Sequence, residues 1–413
     1  MIVPLMEAVA DTCGGKAGAL GALLRAGLPV PDGFVVTFDA YRAAVRDLDL
    51  ARFTGEPDDL DAARKVIEAR PVHATVVDAL GHALAELGDP PVAVRSSASN
   101  EDTGQASAAG RYESFLAVRG AGEVTDAVRA CWASLFSPRA IDPGDDPVMA
   151  VIVQRHLDAE VSGVMFTPAD PDDATEIEAS WGLGPSVVGG TVTPDAYHVA
   201  GDESVTHTIA DKRTRLDRRG TRLVVSDVPT RIRERPTIDD ATAARLAALG
   251  KEVAAVRGGP QDIEWAIVDD RAWVLQARPV TAEPPPPSGA ADAPAATLTG
   301  TPGSHGTVTG TARIVRGPGD FARVRPGDIL ICPFTDPAWT PLLRIAAGVV
   351  TETGGVLCHA AIVAREQAIP AVLGIPNATS RLHDGTLITI DGTTGTVTDR
   401  KETGSGPARA PRS

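Results

Sequence analysis

The sequence predicts a multidomain protein of mixed α/β and α+β class, with two modules joined by a linker. Three observations carry that expectation. A run that opens Glu283-Pro284-Pro285-Pro286-Pro287 and continues in Ala, Asp and Pro up to Thr297 interrupts every hydrophobic period. Before it, short apolar runs alternate with amphipathic helical stretches and close on two strand-like segments within 259–279. After it, short strands at 310–315, 328–331 and 387–390 surround one helix that opens at His359. The boundaries read as a first domain over 1–281, a linker over 282–298, a second domain over 299–398 and a disordered tail over 399–413. A chain of 413 residues gives each module enough length to bury its own core.

The formal net charge of −15 excludes a nucleic-acid partner or an anionic membrane surface, because no basic excess exists to neutralise a run of phosphates. A local basic pocket for a small anion remains compatible with it. Met1-Ile2-Val3-Pro4 lacks the basic start of a signal peptide, and no apolar run is long enough for a membrane span, so a cytoplasmic protein is expected. Cys13, Cys131, Cys332 and Cys358 are scattered without metal-ligand spacing and suggest neither zinc nor disulfides.

In chain order, Gly14-Gly15-Lys16-Ala17-Gly18 leads into leucines at helical spacing and stops at Gly27 and Pro29. Lys16 at such a helix opening is placed to meet a phosphate, or to stand as a solvated lysine on a capped surface helix. Residues 40–88 read as amphipathic helices without chemistry, with His73 and His82 at the surface. Val92-Ala93-Val94-Arg95-Ser96-Ser97-Ala98-Ser99-Asn100-Glu101-Asp102 turns from a buried strand into a loop rich in hydroxyls and carboxylates. Arg95 offers a planar donor fork for phosphate oxygens, or an ion pair to Glu101 or Asp102. The runs 151–154 and 161–167 read as paired, half-buried strands, and the cluster Lys212, Arg213, Arg215, Arg218, Arg219 and Arg222 as a solvated basic loop or as an anion site.

The segments 259–268 and 272–279 read as a hairpin joined by Asp269-Asp270-Arg271. Alternation puts Asp262 and Glu264 on one face of the first strand, and Gln276 and Arg278 on one face of the second. Register decides whether those faces coincide, and periodicity does not reveal it. Coinciding faces would gather hard oxygen ligands and a guanidinium, the set that a magnesium triphosphate needs. The Pro-rich linker, about 15 residues at about 3.1 Å each, would reach roughly 45 Å. Beyond it, Thr351-Glu352-Thr353-Gly354-Gly355-Val356-Leu357-Cys358-His359-Ala360-Ala361-Ile362-Val363-Ala364-Arg365-Glu366 is a strand, a glycine turn and a helix start. His359 therefore sits in a first helical turn, where unpaired N–H groups and the macrodipole disfavour imidazolium and welcome an anion. Cys358 at the same helix start reads as a reactive thiolate or as a small neighbour of the histidine.

The run from Gly354 to Glu366, continued by Ile369-Pro370-Ala371-Val372, closely resembles the phosphohistidine signature of the phosphoenolpyruvate-utilising dikinases. That family includes phosphoenolpyruvate synthase, pyruvate phosphate dikinase and rifampin phosphotransferase. Val-Arg-Ser-Ser-Ala at 94–98, Gln-Asp-Ile-Glu-Trp at 261–265 and Leu-Gln-Ala-Arg-Pro at 275–279 are similar to the hallmarks of its nucleotide-binding half, in family order. The resemblance implies an ATP-grasp-like nucleotide-binding domain and a swivelling phosphohistidine domain. It implies that Lys16, Arg95, Arg278 and the glycine-containing loop at Gly110 bind ATP, that Glu264 and Gln276 bind it while holding Mg²⁺, and that His359 carries the phosphoryl group.

Three positions depart from the family pattern: Ala108 where Phe is usual, Arg111 for Gln and Pro185 for Glu. The linker is too short to hold the family's large substrate domain, so a short form lacking it is expected. The activity implied is phosphoryl transfer from ATP through His359 to a small-molecule acceptor, with release of AMP and Pi. The alternative is a phosphocarrier that donates to a separate substrate-domain protein.

Overall fold

The computed structural model describes residues 1–48, 57–101, 111–137, 147–170, 173–283 and 297–399. Gly110, Ala108, most of the Pro-rich segment and residues 400–413 lie outside the described residues. Contacts divide the chain into two units. The first takes in Met1–Glu283 with the short segments Asp336–Ala338 and Leu357–His359, and the second takes in the remainder.

The first unit is built on two antiparallel sheets. One has five strands in the order Ile2–Pro4, Gly33–Val36, Met149–Arg155, Val92–Ala98 and Ser114–Val118. Its central strands are apolar on both faces because each face is covered. Val35 and Ile152 join a core with the helix Ala10–Arg25, whereas Val36, Val151 and Val153 pack with the helices Phe38–Val45, Ala74–Glu86 and Ala121–Ala133. Double burial explains the missing alternation in these strands.

The other sheet has six strands in the order Arg271–Pro279, Gln261–Val268, Val161–Phe166, Thr175–Trp181, Asp195–Val199 and Val205–Thr208. Its core face carries Ile263, Trp265, Met165, Ile177 and Tyr197, packed with Leu246 and Val253 of the helix Asp240–Arg257. That helix begins at an Asp239 N-cap, whose side chain accepts from Thr242 N at 2.8 Å, and ends at left-handed Gly258. Trp265 fits only because position 163 is glycine. A Cβ there would lie 1.9 Å from the Glu178 carbonyl and 2.6 Å from the indole.

Two expectations are corrected here. The runs at 151–154 and 161–167 are both strands, yet they belong to different sheets and do not pair with each other. Each finds its partners far away in sequence, which local pattern does not encode. Nor is Lys212 a solvated loop residue. It is wholly buried, with Nζ 2.5 Å from Asp195 Oδ1 and 2.9 Å from the Ala210 carbonyl. Of the arginines after it, Arg213 precedes the ribbon and pairs with Asp211, and the others lie on the two-stranded ribbon Thr214–Arg219/Arg222–Asp227, where Arg215 pairs with Asp217 and Arg218 with Asp158.

The second unit is an eight-stranded mixed sheet. Its parallel centre runs Thr307–Ile314, Ile329–Cys332, Gly348–Thr351 and Ala371–Leu373, and antiparallel strands flank it. Thr297–Thr299 pairs with Thr396–Asp399, so the sheet begins at Thr297 and runs to Asp399. Ile329, Ile331, Val350, Val372, Ile388 and Ile390 form its core. No helix of the described residues is long and apolar enough to cross a membrane.

Candidate functional site

The hairpin Gln261–Val268/Arg271–Pro279 turns on Asp269 and Asp270, whose φ of 50° and 59° are the left-handed values of a two-residue connection. Arg271 already belongs to the second strand, so the expected three-residue turn is one residue too long. Counted back from this turn, pairing runs regularly to Trp265↔Val274 and then shifts by one, giving Glu264↔Gln276 and Asp262↔Arg278. The extra residue is Leu275. Without the bulge Glu264 would face Leu275, and Gln276 would turn to the side of Ile263. The bulge thus brings the polar faces of both strands together.

It also turns the Leu275 carbonyl to Arg95, whose Nη1 donates to it at 2.8 Å. Nη2 of the same guanidinium donates to Glu264 Oε2 at 2.8 Å and to Gln276 Oε1 at 2.9 Å. Arg95 comes from an inner strand of the other sheet, Val92–Ala98, so this contact ties the two sheets of the first unit. Its carboxylate partner is Glu264, not the Glu101 that proximity in sequence suggested, and Asp102 lies outside the described residues.

Glu101 serves Lys16 instead, with Nζ 2.5 Å from Oε1, while its Oε2 accepts from Ala98 N at 3.1 Å. Lys16 is aimed by a break in its helix. Gly14 holds φ 80°, where a Cβ would stand 2.3 Å from the Ser97 carbonyl, and Ala17 N donates to Ser97 Oγ at 3.1 Å. Arg278 and Asp262 are both buried and paired, Nε at 2.8 Å and Nη2 at 2.6 Å from Asp262 Oδ2.

Three cations and three carboxylates therefore stand in pairs: Lys16 with Glu101, Arg95 with Glu264 and Arg278 with Asp262. Glu264 and Gln276 already converge on one cationic group, which is the test of fit for a divalent cation. Their oxygens are hard donors, and two protein ligands suffice where phosphate oxygens complete the shell. Among the described residues no group of three or more His, Cys, Asp and Glu could hold a metal by itself. A separate cavity of about 620 Å³, lined by Glu160, Trp181, His207, Arg245 and Asp270 among others, shares no residue with this cluster.

His359 is the first residue of the helix His359–Glu366. It is 4% exposed, and burial lowers its pKa to about 4, which leaves the imidazole neutral at physiological pH. The turn before it is tied down from within the second unit: Arg365 Nη1 donates to the carbonyls of Val356 at 2.8 Å and Gly303 at 3.0 Å. Cys358 is buried as well, unlike an exposed reactive thiolate. His73 and His82 are exposed, and Pro185 opens the short helix Pro185–Val188, a position that suits proline. Sequence reasoning missed the Lys16–Glu101 pair, which spans 85 positions without a local signal, and the Leu275 carbonyl, which no side-chain pattern announces.

Residues 10–295 match the family described as pyruvate phosphate dikinase, AMP/ATP-binding domain, and residues 324–395 match the PEP-utilising enzyme, mobile domain. The first match takes in more than half of the sequence, and the chain belongs to that family. It is 37% identical to a probable phosphoenolpyruvate synthase of Methanothermobacter thermautotrophicus, over 93% of this chain and 61% of that protein. It is 35% identical to the phosphoenolpyruvate synthase of Aeropyrum pernix, over 93% of this chain and 56% of that one. A probable phosphoenolpyruvate synthase of Archaeoglobus fulgidus matches at 35%, with the same coverage. The chain thus spans between 56% and 61% of the length of these relatives.

Proposed function

We propose that this chain is an ATP-dependent, dikinase-type phosphotransferase whose phosphoryl carrier is His359. Lys16, Arg95, Arg278 and Gly110 bind ATP, and Glu264 and Gln276 bind it while holding Mg²⁺ through their side-chain oxygens. The metal would neutralise charge on the phosphates. A ring nitrogen of neutral His359 attacks the β-phosphorus, the bond from that phosphorus to the AMP oxygen breaks, and AMP leaves. Water takes the terminal phosphoryl group as Pi, and the phosphohistidine passes its phosphoryl group to a small-molecule acceptor.

The observation that carries this reading is His359 itself, a buried imidazole kept neutral within the stretch that matches the mobile domain. A lone pair on a ring nitrogen is what a nucleophile needs, and a pKa of about 4 keeps it available. Product analysis after incubation with ATP and Mg²⁺ tests the reading. AMP and Pi in equal amounts are expected; ADP as the nucleotide product would contradict it.

A further inference from the structure

We propose that Arg95 makes nucleotide binding here obligately metal-dependent, by occupying the metal-binding oxygens whenever no triphosphate is present. The proposal rests on the reading that Glu264 and Gln276 are the metal ligands. One guanidinium nitrogen, Nη2, lies 2.8 Å from Glu264 Oε2 and 2.9 Å from Gln276 Oε1, so positive charge already sits where a divalent cation would be held. A second cation brought to the same two oxygens would meet that guanidinium within a few ångströms, in a partly buried setting where repulsion is weakly screened.

The converse holds for the anion. Lys16, Arg95 and Arg278 are each neutralised by a carboxylate, so the six charged groups sum to zero. Metal-free ATP therefore finds no uncommitted positive charge among them. Both obstacles fall together when metal and triphosphate arrive as one ligand. Phosphate oxygens accept the Arg95 fork, which frees Glu264 and Gln276 for the cation, and every charge exchanges one partner for another. Nη1 can stay on the Leu275 carbonyl as a pivot, since that bond involves neither exchanged oxygen. Arg95 is in this account a specificity-determining residue, selecting metal–nucleotide over either component alone.

The test uses Mn²⁺ as the probe, with free ion counted by electron paramagnetic resonance on nucleotide-free full-length chain. Arg95→Met should bind Mn²⁺ about tenfold more tightly than wild type, because a charge-assisted competitor has been removed. Adding Glu264→Gln to that variant should abolish the gain. Arg95→Lys, whose single ammonium cannot span both oxygens and the carbonyl, should fall between the two and decides the matter if the methionine variant fails to fold. Equal or weaker Mn²⁺ binding in a folded Arg95 variant overturns the proposal. If Glu264→Gln leaves Mn²⁺ binding of Arg95→Met unchanged, the metal-ligand reading itself is wrong, and this inference falls with it.

Discussion

Glu264 and Gln276 stand directly opposite each other across a hairpin, and a single Arg95 nitrogen reaches both, at 2.8 and 2.9 Å. The pairing exists because one extra residue, Leu275, shifts the ladder after Trp265↔Val274. A polar site is thereby fixed on rigid strands, with its core faces held by Trp265 and Ile263 on one strand and Val274 and Ala277 on the other.

Removing the carboxylate should raise the metal requirement. Glu264→Gln keeps the shape and a hydrogen-bond acceptor for Arg95 but loses the charge that, on the proposed reading, would hold a dication. The Mg²⁺ concentration for half-maximal AMP formation is expected to rise at least about tenfold. A metal titration of the reaction checks this, and an unchanged midpoint would remove Glu264 from the metal site.

Gly14→Ala should damage the placement of Lys16 and the stability of the first unit together. At φ 80° a side chain is strained, and the new Cβ would sit 2.3 Å from the Ser97 carbonyl. A loss of more than about 1 kcal/mol is expected by denaturant unfolding, with weaker nucleotide binding. Gly27 also has positive φ but meets nothing within 4 Å, so Gly27→Ala should cost strain alone and leave binding intact.

The buried pair Lys212–Asp195 should respond asymmetrically to mutation. Asp195 accepts from Lys212 Nζ, from Ala210 N, and from Thr237 N and Oγ1 at 2.9 Å each, so Asp195→Ala orphans several buried donors, one of them charged. A loss of about 3–5 kcal/mol is expected for it. Lys212→Met leaves the carboxylate its other donors and should cost clearly less in the same unfolding experiment. Equal losses would contradict this division.

The fold class and the hallmark residues were legible in the sequence, whereas the partners within the site were not. Alternation assigned Asp262 and Glu264 to one face, but the bulge at Leu275 decides which residues of the next strand they meet, and a bulge leaves no mark in hydrophobic pattern. Lys212 was misread for a related reason. Its run of arginines looks solvated, and only the distant Asp195 strand shows that this one ammonium is satisfied indoors. His359 was legible as a helix-start residue, and its depressed pKa follows from burial that no local pattern specifies.

Acid sensitivity should follow from the same histidine. Its ordinary pKa is 6.5 and burial lowers it to about 4, so between those values the unfolded chain binds the proton that the folded chain refuses. Stability from this group is fully present above pH 6.5 and is lost as pH falls towards 4. His359→Gln should flatten that limb of the stability profile, measured by denaturant midpoints across the window. An unchanged profile would mean that the ring is not held neutral.

The central claim is that His359 takes the β-phosphoryl group of ATP. The direct measurement is to incubate the full chain with Mg²⁺ and either β- or γ-³²P ATP, quench in alkali, and map label by mass spectrometry beside His359→Ala. The account predicts that, once Pi has been released, β-label is retained as an acid-labile adduct on His359, that γ-label is recovered as Pi, and that the alanine variant carries neither. Acid-stable label, label on another residue, or label that survives in His359→Ala would contradict it.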